Sequence, residues 1–425
     1  MHKKTINPFF LFFFIISILY YSCTTTKNEN LTNLPIKNIV DKTEKVHTTS
    51  PLTKMRAPLI LTFCGDLMCH TENAQTKDFL EIYKDITPII MEDSFTFANL
   101  ETPVNDDLPY ATYPNFNVHS DYVNAAIQSG IDVFSLANNH TNDGNTKSIL
   151  KTASYFDSLK NNGIYSAGIH TGKSINSQPA FKDDGLTFQI LEKNGWRILF
   201  ASYTQIVNRQ TGLDYIDYYP NTSKDNTRLK QQLIKLSNTF EHDIFIVSVH
   251  CDEPEYIIDV PLSSKKWYAE LRECGVDIIW ANHPHVLQEW EIYTDKKTGN
   301  AKSVVMYSLG NLISGQRRPW PDIENPEAKY EYTGDSVLMQ ITIADNINNY
   351  LSNEEKNITQ NEEKDFIIRN VKPIYITTHI TKWGGDYLIK LLTPAFIASM
   401  PKSLQEYYTK RLELIKQIKG ITICQ

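Results

Sequence analysis

The chain has 425 residues, with 42 Lys+Arg against 49 Asp+Glu and a formal net charge of −7, which argues against nucleic-acid binding through a basic footprint. Hydrophobic residues at 41% and charged residues at 21% exclude a disordered chain and allow one large α/β domain or two smaller ones. The six cysteines, Cys23, Cys64, Cys69, Cys251, Cys274 and Cys424, are too few and too scattered for a disulfide framework or a zinc ribbon.

In chain order the first element is an address. Residues 1–22 start basic (Lys3, Lys4) and continue into an apolar run from Phe9 to Tyr21. That run is shorter than the ~20 residues a spanning helix needs, so it reads as a signal peptide. The Ser22-Cys23 junction resembles a bacterial lipobox. The resemblance implies lipidation of Cys23, attachment to a membrane through that lipid, and a place in the bacterial cell envelope outside the cytoplasm. A plain secretory signal with a coincidental cysteine is the alternative. Residues 23–57, rich in Thr, Asn and Lys, read as a flexible tether, and residues 58–425 as one domain.

From Leu59 onward, β-branched and aromatic runs alternate with amphipathic stretches, the pattern of an α/β fold. Strands are expected at 59–63, 95–98, 132–137, 164–168, 188–203 (in two parts), 243–249, 277–281, 304–309 and 337–343. Helices are expected at 121–130, 146–163, 226–240 and 263–275, with Gly130, Gly163 and Gly275 as left-handed C-caps. Residues 346–364 read as a polar surface excursion, 366–380 as a strand pair or one strand broken near Pro373, and 407–418 as a terminal helix.

The chemistry-bearing residues follow the strands. Gly65-Asp66 comes after the first, Asn99-Leu100-Glu101 after the second and Asn138-Asn139-His140 after the third; later strands deliver His250 and then His283-Pro284-His285. Strand carboxyl ends are where loops converge on a rigid frame. Asp, Glu, Asn and His delivered there together form the inventory of a metal site. Of 11 histidines, His140, His250, His283 and His285 occupy such positions.

The blocks GDLM (65–68), NLETPV (99–104), SLANNHTNDG (135–144), VH (249–250) with EY (255–256), HPHVLQ (283–288) and YSLGNLI (307–313) resemble the CapA family. That family, the poly-γ-glutamate capsule or PgsA type, is related to calcineurin-like metallophosphoesterases. They keep the family's order across roughly residues 59–315. The resemblance implies a calcineurin-like α/β sandwich of two mixed β-sheets flanked by helices. It also implies that Asp66, Glu101 (in a bridging position), Asn139, His250, His283 and His285 are ligands for one or two divalent ions (Mn, Fe or Zn). His140 would be the acid/base or transition-state-stabilising imidazole. From the residues themselves, Asn138 reads as shaping the substrate site, and Tyr307 and Asn311 as shaping it through a turn, with Asn311 able to contact substrate.

Two departures stand out. Phosphoesterase relatives carry Asp-x-His where this chain has Asp66-Leu67-Met68, as CapA-type sequences do, and a thioether is a poor substitute for imidazole on a hard dication. The usual His-Trp-Gly is here His250-Cys251-Asp252, followed by Glu253 and Glu255, which alters the pocket wall or adds an acidic ligand. His70 is either a replacement imidazole or a surface residue. Cys64, Cys69 and Cys251 are either thiolate ligands or small core residues. Arg317 and Arg318 either hold an anionic polymer or decorate a solvated loop.

Three functions compete. The first is a lipid-anchored protein of poly-γ-glutamate synthesis or processing with metal-dependent hydrolase capacity. The second is a periplasmic metal-dependent phosphoesterase. The third is a non-catalytic subunit that binds the polymer or a membrane synthase complex.

Overall fold

Fifteen strands carry the frame: β1 (Leu59–Leu67), β2 (Phe95–Leu100), β3 (Val133–Ser135), β4 (Tyr165–Ala167), β5 (Phe188–Lys193), β6 (Trp196–Thr204), β7 (Ile244–His250), β8 (Ile278–Asn282), β9 (Trp290–Thr294), β10 (Ala301–Met306), β11 (Asn311–Ile313), β12 (Asp335–Asp345), β13 (Phe366–Ile380), β14 (Tyr387–Leu391) and β15 (Gly420–Cys424). The computed structural model describes residues 55–172, 185–346 and 365–425. The signal segment, Cys23, the tether up to residue 54 and the polar stretch 347–364 lie outside the described residues.

The strands form two leaves. One runs β4-β3-β2-β1-β12-β13, with β14 on β13 and β11 on β1; the other runs β5-β6-β7-β8-β10, with β9 and β15 beyond β10. Both leaves are mixed, and one pairing, Ala301 with Ile368, joins them into a single network. Aromatic side chains fill the space between the leaves. Phe63 stacks on Phe97 at 4.7 Å, and these two meet Trp280 and Phe200 at 5.8 and 5.5 Å.

Helices cover the outer faces. Ser120–Gln128 and Asn145–Leu159 pack on the first leaf and Ser223–Thr239 and Leu262–Glu273 on the second. The helix at 223–239 illustrates the local logic. Thr222 caps it by accepting from the Asp225 amide, and Leu229, Leu233 and Leu236 recur on one buried face. Gly130, Gly163 and Gly275 all have positive φ at the ends of their helical segments. The helix Lys402–Ile415 closes the inter-leaf core with Leu404, Tyr407, Tyr408 and Leu412.

Several boundaries differ from expectation: β1 runs on to Leu67 and the C-terminal helix spans Lys402–Ile415 rather than 407–418. β10 stops at Met306, because Tyr307 to Gly310 turn to bring Asn311 beside β1. Pro373 does not break β13, where it pairs with Met339 of β12. Between its pairing with β10 at Ile368 and with β14 from Ile376, β13 has a strand neighbour on one side only among the described residues, and a strand edge tolerates a missing donor.

Candidate metal centre

The strand ends of both leaves meet at one buried cluster. A close backbone approach sets its floor: a Cβ on Gly65 would lie 1.8 Å from the Gly310 carbonyl oxygen, so only glycine lets β1 pass the turn before β11. The Asp66 amide donates to that same carbonyl at 3.0 Å. A chain of buried hydroxyls, Ser202 to Ser135 at 2.8 Å and Ser248 to Ser135 at 2.9 Å, ties β6 and β7 to β3 across the leaves.

Asp66 and Glu101 are fully buried. Asp66 Oδ1 accepts from Asn99 Nδ2 at 2.8 Å, and Oδ2 lies 3.1 Å from His285 Nδ1. Glu101 Oε1 stands 3.7 Å from both His250 Nε2 and His285 Nε2. Among the described residues, neither oxygen of Glu101 has a hydrogen-bond partner, nor does His283 Nδ1 or Asn99 Oδ1. Asn139 Oδ1 faces His250 Nε2 at 3.0 Å.

Three donor groups emerge, each with atoms within 4.8 Å of one another: Asp66, Glu101 and His285; Glu101, His250 and His283; and Glu255, His283 and His285. Glu101 is shared by the first two, which suits a bridging carboxylate. The structure thus gathers all six residues expected as ligands and adds Glu255 at the rim. His283 and His285 hold positive φ, 110° and 58°, and such strain persists where the surroundings over-determine it.

Electrostatics divide the imidazoles. Burial, reinforced by neighbouring histidines, pushes His250 well down and His283 down to about 4, so both are neutral with lone pairs to offer. Burial also opposes charge on His285, but Glu101 and Asp66 outweigh it and hold that ring up at about 9. Burial raises Glu101 well above the carboxylate range, with the Asp66 charge adding to it and His285 opposing. Buried oxygens and a nitrogen without hydrogen-bond partners, beside neutral imidazoles, fit a divalent cation.

His140 stands at the edge of the cluster. Its Nδ1 lies 2.6 Å from Asp143 Oδ2 and 3.1 Å from Asn208 Nδ2, and its ring meets Phe116 edge-on at 4.6 Å. Asn138 serves the backbone: its Nδ2 donates to the Leu100 carbonyl at 2.8 Å, fixing the residue before Glu101. Asn311 reaches the cluster through its Oδ1, 3.1 Å from His285 Nδ1, while its Nδ2 donates to Ser314, Gln316 and the Thr333 carbonyl.

Other expected participants turn away. The Tyr307 side chain donates to Glu291 at 2.7 Å and packs near Tyr268 in the core under the outer helices, so its part in the site is the backbone turn that carries Asn311 to β1. His70 is buried rather than a surface residue; its Nδ1 accepts from the Gly315 amide at 3.1 Å, its ring packs on Phe116, and it belongs to none of the three donor groups. Cys69 and Cys251 direct their thiols to the carbonyls of His70 and Asn282, and burial raises both, as it does Cys64. Arg317 is fully buried on Asp335 at 2.8 Å, and the half-exposed Arg318 lies 3.7 Å from Glu72. Asn99, Asp143 and Asn208 escaped the sequence reading. Asn99 and Asp143 lie inside quoted blocks, so spacing from Glu101 and His140 was the available signal, whereas Asn208 arrives from a loop that carries none.

Fold and cluster together define an α/β sandwich with a donor set for divalent metal at its strand ends. Residues 60–316 match the family described as "Bacterial capsule synthesis protein PGA_cap", and the chain belongs to that family. A capsule biosynthesis protein CapA of Bacillus anthracis is 25% identical over 302 residues, covering 68% of this chain and 64% of that protein. A PGA biosynthesis protein CapA of Bacillus subtilis strain 168 is 24% identical over 279 residues, covering 64% and 67%. The chain thus spans just under two thirds of the B. anthracis relative. Among solved structures it is similar to a hypothetical protein from Thermus thermophilus (TM-score 0.38, 13% identity, 75% of this chain and 98% of that one). It is also similar to a Staphylococcus aureus protein assigned as a 5'-nucleotidase, solved with α-ketoglutarate (TM-score 0.39, 11% identity, 84% and 58%).

Proposed function

We propose that this protein acts in the synthesis or processing of poly-γ-glutamate or a related anionic capsular polymer, as a metal-dependent hydrolase. In this reading it is held in the bacterial cell envelope by lipid on Cys23, outside the cytoplasm, near a membrane synthase complex. The observation that carries the hydrolase reading is Glu101: a fully buried carboxylate with two unpartnered oxygens, set between His250 and His285. The names of the two Bacillus relatives support the polymer.

Asp66, Glu101, Asn139, His250, His283 and His285 would hold the metal, which when bound supplies Lewis-acid polarisation of an amide or phosphoryl oxygen and acidifies water. The chain's own residues do the rest. Asp143 fixes the tautomer of His140 with its proton on Nδ1, leaving Nε2 to take a proton from the attacking water and pass it to a leaving amine. Asn311 and Asp66 orient His285 through its Nδ1, leaving Nε2 toward Glu101.

The test uses protein lacking residues 1–22. Metal analysis should find about one to two equivalents of Mn, Fe or Zn, reduced by His283→Ala; finding none, with no difference in the variant, refutes the hydrolase reading. Loaded protein should cleave poly-γ-glutamate, with His140→Ala slowed by about 10²–10⁴-fold. Cleavage of a phosphodiester instead identifies a phosphoesterase. Retention of uncleaved polymer by immobilised protein identifies an accessory subunit.

A further inference from the structure

The donor cluster carries a carboxylate at its rim as well as on its floor: Glu255 stands beside His283 and His285. An anionic polymer arriving there needs a local positive contact. The two arginines that the sequence offers for that task are engaged, Arg317 in the core and Arg318 beside Glu72. A different cation stands at the site.

Lys329 is exposed at the start of the 3-10 turn Lys329–Gly334. Its Nζ lies 4.8 Å from the Tyr256 ring centre and 5.9 Å from that of Tyr330. Among the described residues no carboxylate lies within ion-pair distance of it, so aromatic faces are its neighbours and its charge remains free for a ligand. Tyr256 and Tyr330 meet edge-on at 5.3 Å, and the Tyr256 ring lies 6.2 Å from His285. The ammonium is therefore one aromatic ring removed from the donor cluster.

This wall is built rather than incidental. Tyr256 holds a φ of 68°, its amide donates to the Pro284 carbonyl at 2.8 Å, and its hydroxyl accepts from Gln316 Nε2 at 3.4 Å. Gln316 in turn accepts from Asn311, the residue that faces His285. On the other side, Arg317 Nε donates to the Glu331 carbonyl at 3.1 Å, directly after Tyr330. Arg317 is itself clamped to Asp335, which also binds Arg411 of the C-terminal helix at 2.6 Å. The exposed turn is thus fixed from beneath by buried charge, which lowers the ordering cost of binding. Lys329 and Tyr330 also lie past residue 316, where the family match ends.

We propose that Lys329, with Tyr256 and Tyr330, forms an oxyanion subsite that holds a carboxylate side group of an extended polymer while an adjacent linkage lies at the metal centre. A single ammonium flanked by tyrosines matches one unit charge. Phosphate sites more often use guanidinium forks or clustered backbone N–H groups. The inference rests on the polymer reading above, but its experiment separates the two.

Metal-loaded protein lacking residues 1–22 is titrated by calorimetry with three probes: a γ-linked glutamate oligomer, the same oligomer with its side carboxylates amidated, and linear polyphosphate. The proteins are wild type, Lys329→Gln, Tyr330→Ala and, as a charge-matched control on the exposed turn between β13 and β14, Lys382→Gln. The subsite requires the carboxylated oligomer to bind Lys329→Gln about tenfold more weakly and Tyr330→Ala severalfold more weakly. Lys382→Gln should match wild type, and the amidated oligomer should not distinguish Lys329→Gln from wild type. Oligomer binding that is indifferent to Lys329→Gln, or an equal loss with the amidated probe, overturns the subsite and leaves the polymer reading standing. Polyphosphate binding alone, lost in Lys329→Gln, keeps an oxyanion subsite and overturns both the carboxylate assignment and the γ-glutamyl reading. Binding of none of the probes overturns both proposals.

Discussion

Two buried clusters of charge in this protein have opposite accounts of their polar atoms. Beneath the 314–334 loop, Asp335 takes Arg317, Arg411 and the Thr377 hydroxyl, and Glu331 takes Tyr407 and the Asp322 amide. Of its polar side-chain atoms, Arg411 Nη2 alone is left without a partner. At the strand ends, Glu101 has no hydrogen-bond partner for either oxygen among the described residues, its contacts being imidazoles 3.7 Å away, and His283 Nδ1 and Asn99 Oδ1 also lack one. Both clusters are buried and both mix charge with hydrogen bonds, so composition and burial do not separate them. Satisfaction does. A paired network holds a shape, whereas an unpaired one is costly unless something else completes it.

The largest effect should come from breaking the satisfied cluster. Asp335→Asn leaves two buried guanidiniums short of an anion and should destabilise the protein by ~3–5 kcal/mol in urea unfolding; a loss below ~1 kcal/mol would mean that the cluster is not a structural clamp. The unsatisfied cluster should respond to ligand instead. Adding Mn, Fe or Zn at a hundred times its Kd should raise stability by ~2.7 kcal/mol. Glu101→Gln should abolish that gain while leaving the metal-free protein equally or more stable, since a partnerless buried carboxylate is gone. A melting temperature that none of these ions moves would contradict the contrast.

A third buried acid sharpens the comparison. Asp217 is held by neutral donors, the Thr187 amide at 2.8 Å and the Thr187 hydroxyl. Burial pushes its carboxyl from the ordinary 3.8 up to about 7, with Thr187 pulling the other way. The folded state therefore keeps a proton that the unfolded chain loses above about pH 4. Its contribution is complete below 3.8 and is lost as pH rises toward 7, with a slope of up to ~1.4 kcal/mol per pH unit. Urea midpoints from pH 4 to 8 should show Asp217→Asn gaining on wild type across that window; parallel curves would mean that Asp217 is ionised throughout. At the small end, Lys84→Ala breaks only the exposed i,i+3 pair with Glu81 and should leave the unfolding midpoint within error, because screened surface pairs contribute little.

Much of the frame was legible because long apolar runs and helix-ending glycines report local structure directly. The β13 strand was harder, since Pro373 reads as a break until its one-sided pairing is known. Asp66, Glu101, Asn139, His140, His250, His283 and His285 were legible as residue types at strand ends. Asn99 and Asp143 were not, because an amide or carboxylate that orients a neighbour looks the same in sequence as a turn residue. Arg317 was misread for the complementary reason: it sits just past a site motif, yet its side chain is buried on Asp335 beside the C-terminal helix.

The sequence by itself determined which chemistry is available and where the backbone must pass closely. Strands end in Asp, Glu, Asn and His, and Gly65 permits the contact with Gly310. Only the tertiary structure decided which of those groups share a space. Asp66 and His285 are 219 residues apart and 3.1 Å distant, and no local propensity encodes that meeting. It also decided what each buried group means: the same burial that makes Arg317 a clamp leaves both oxygens of Glu101 without a hydrogen-bond partner, because a buried polar group takes its role from the partners that packing sets around it.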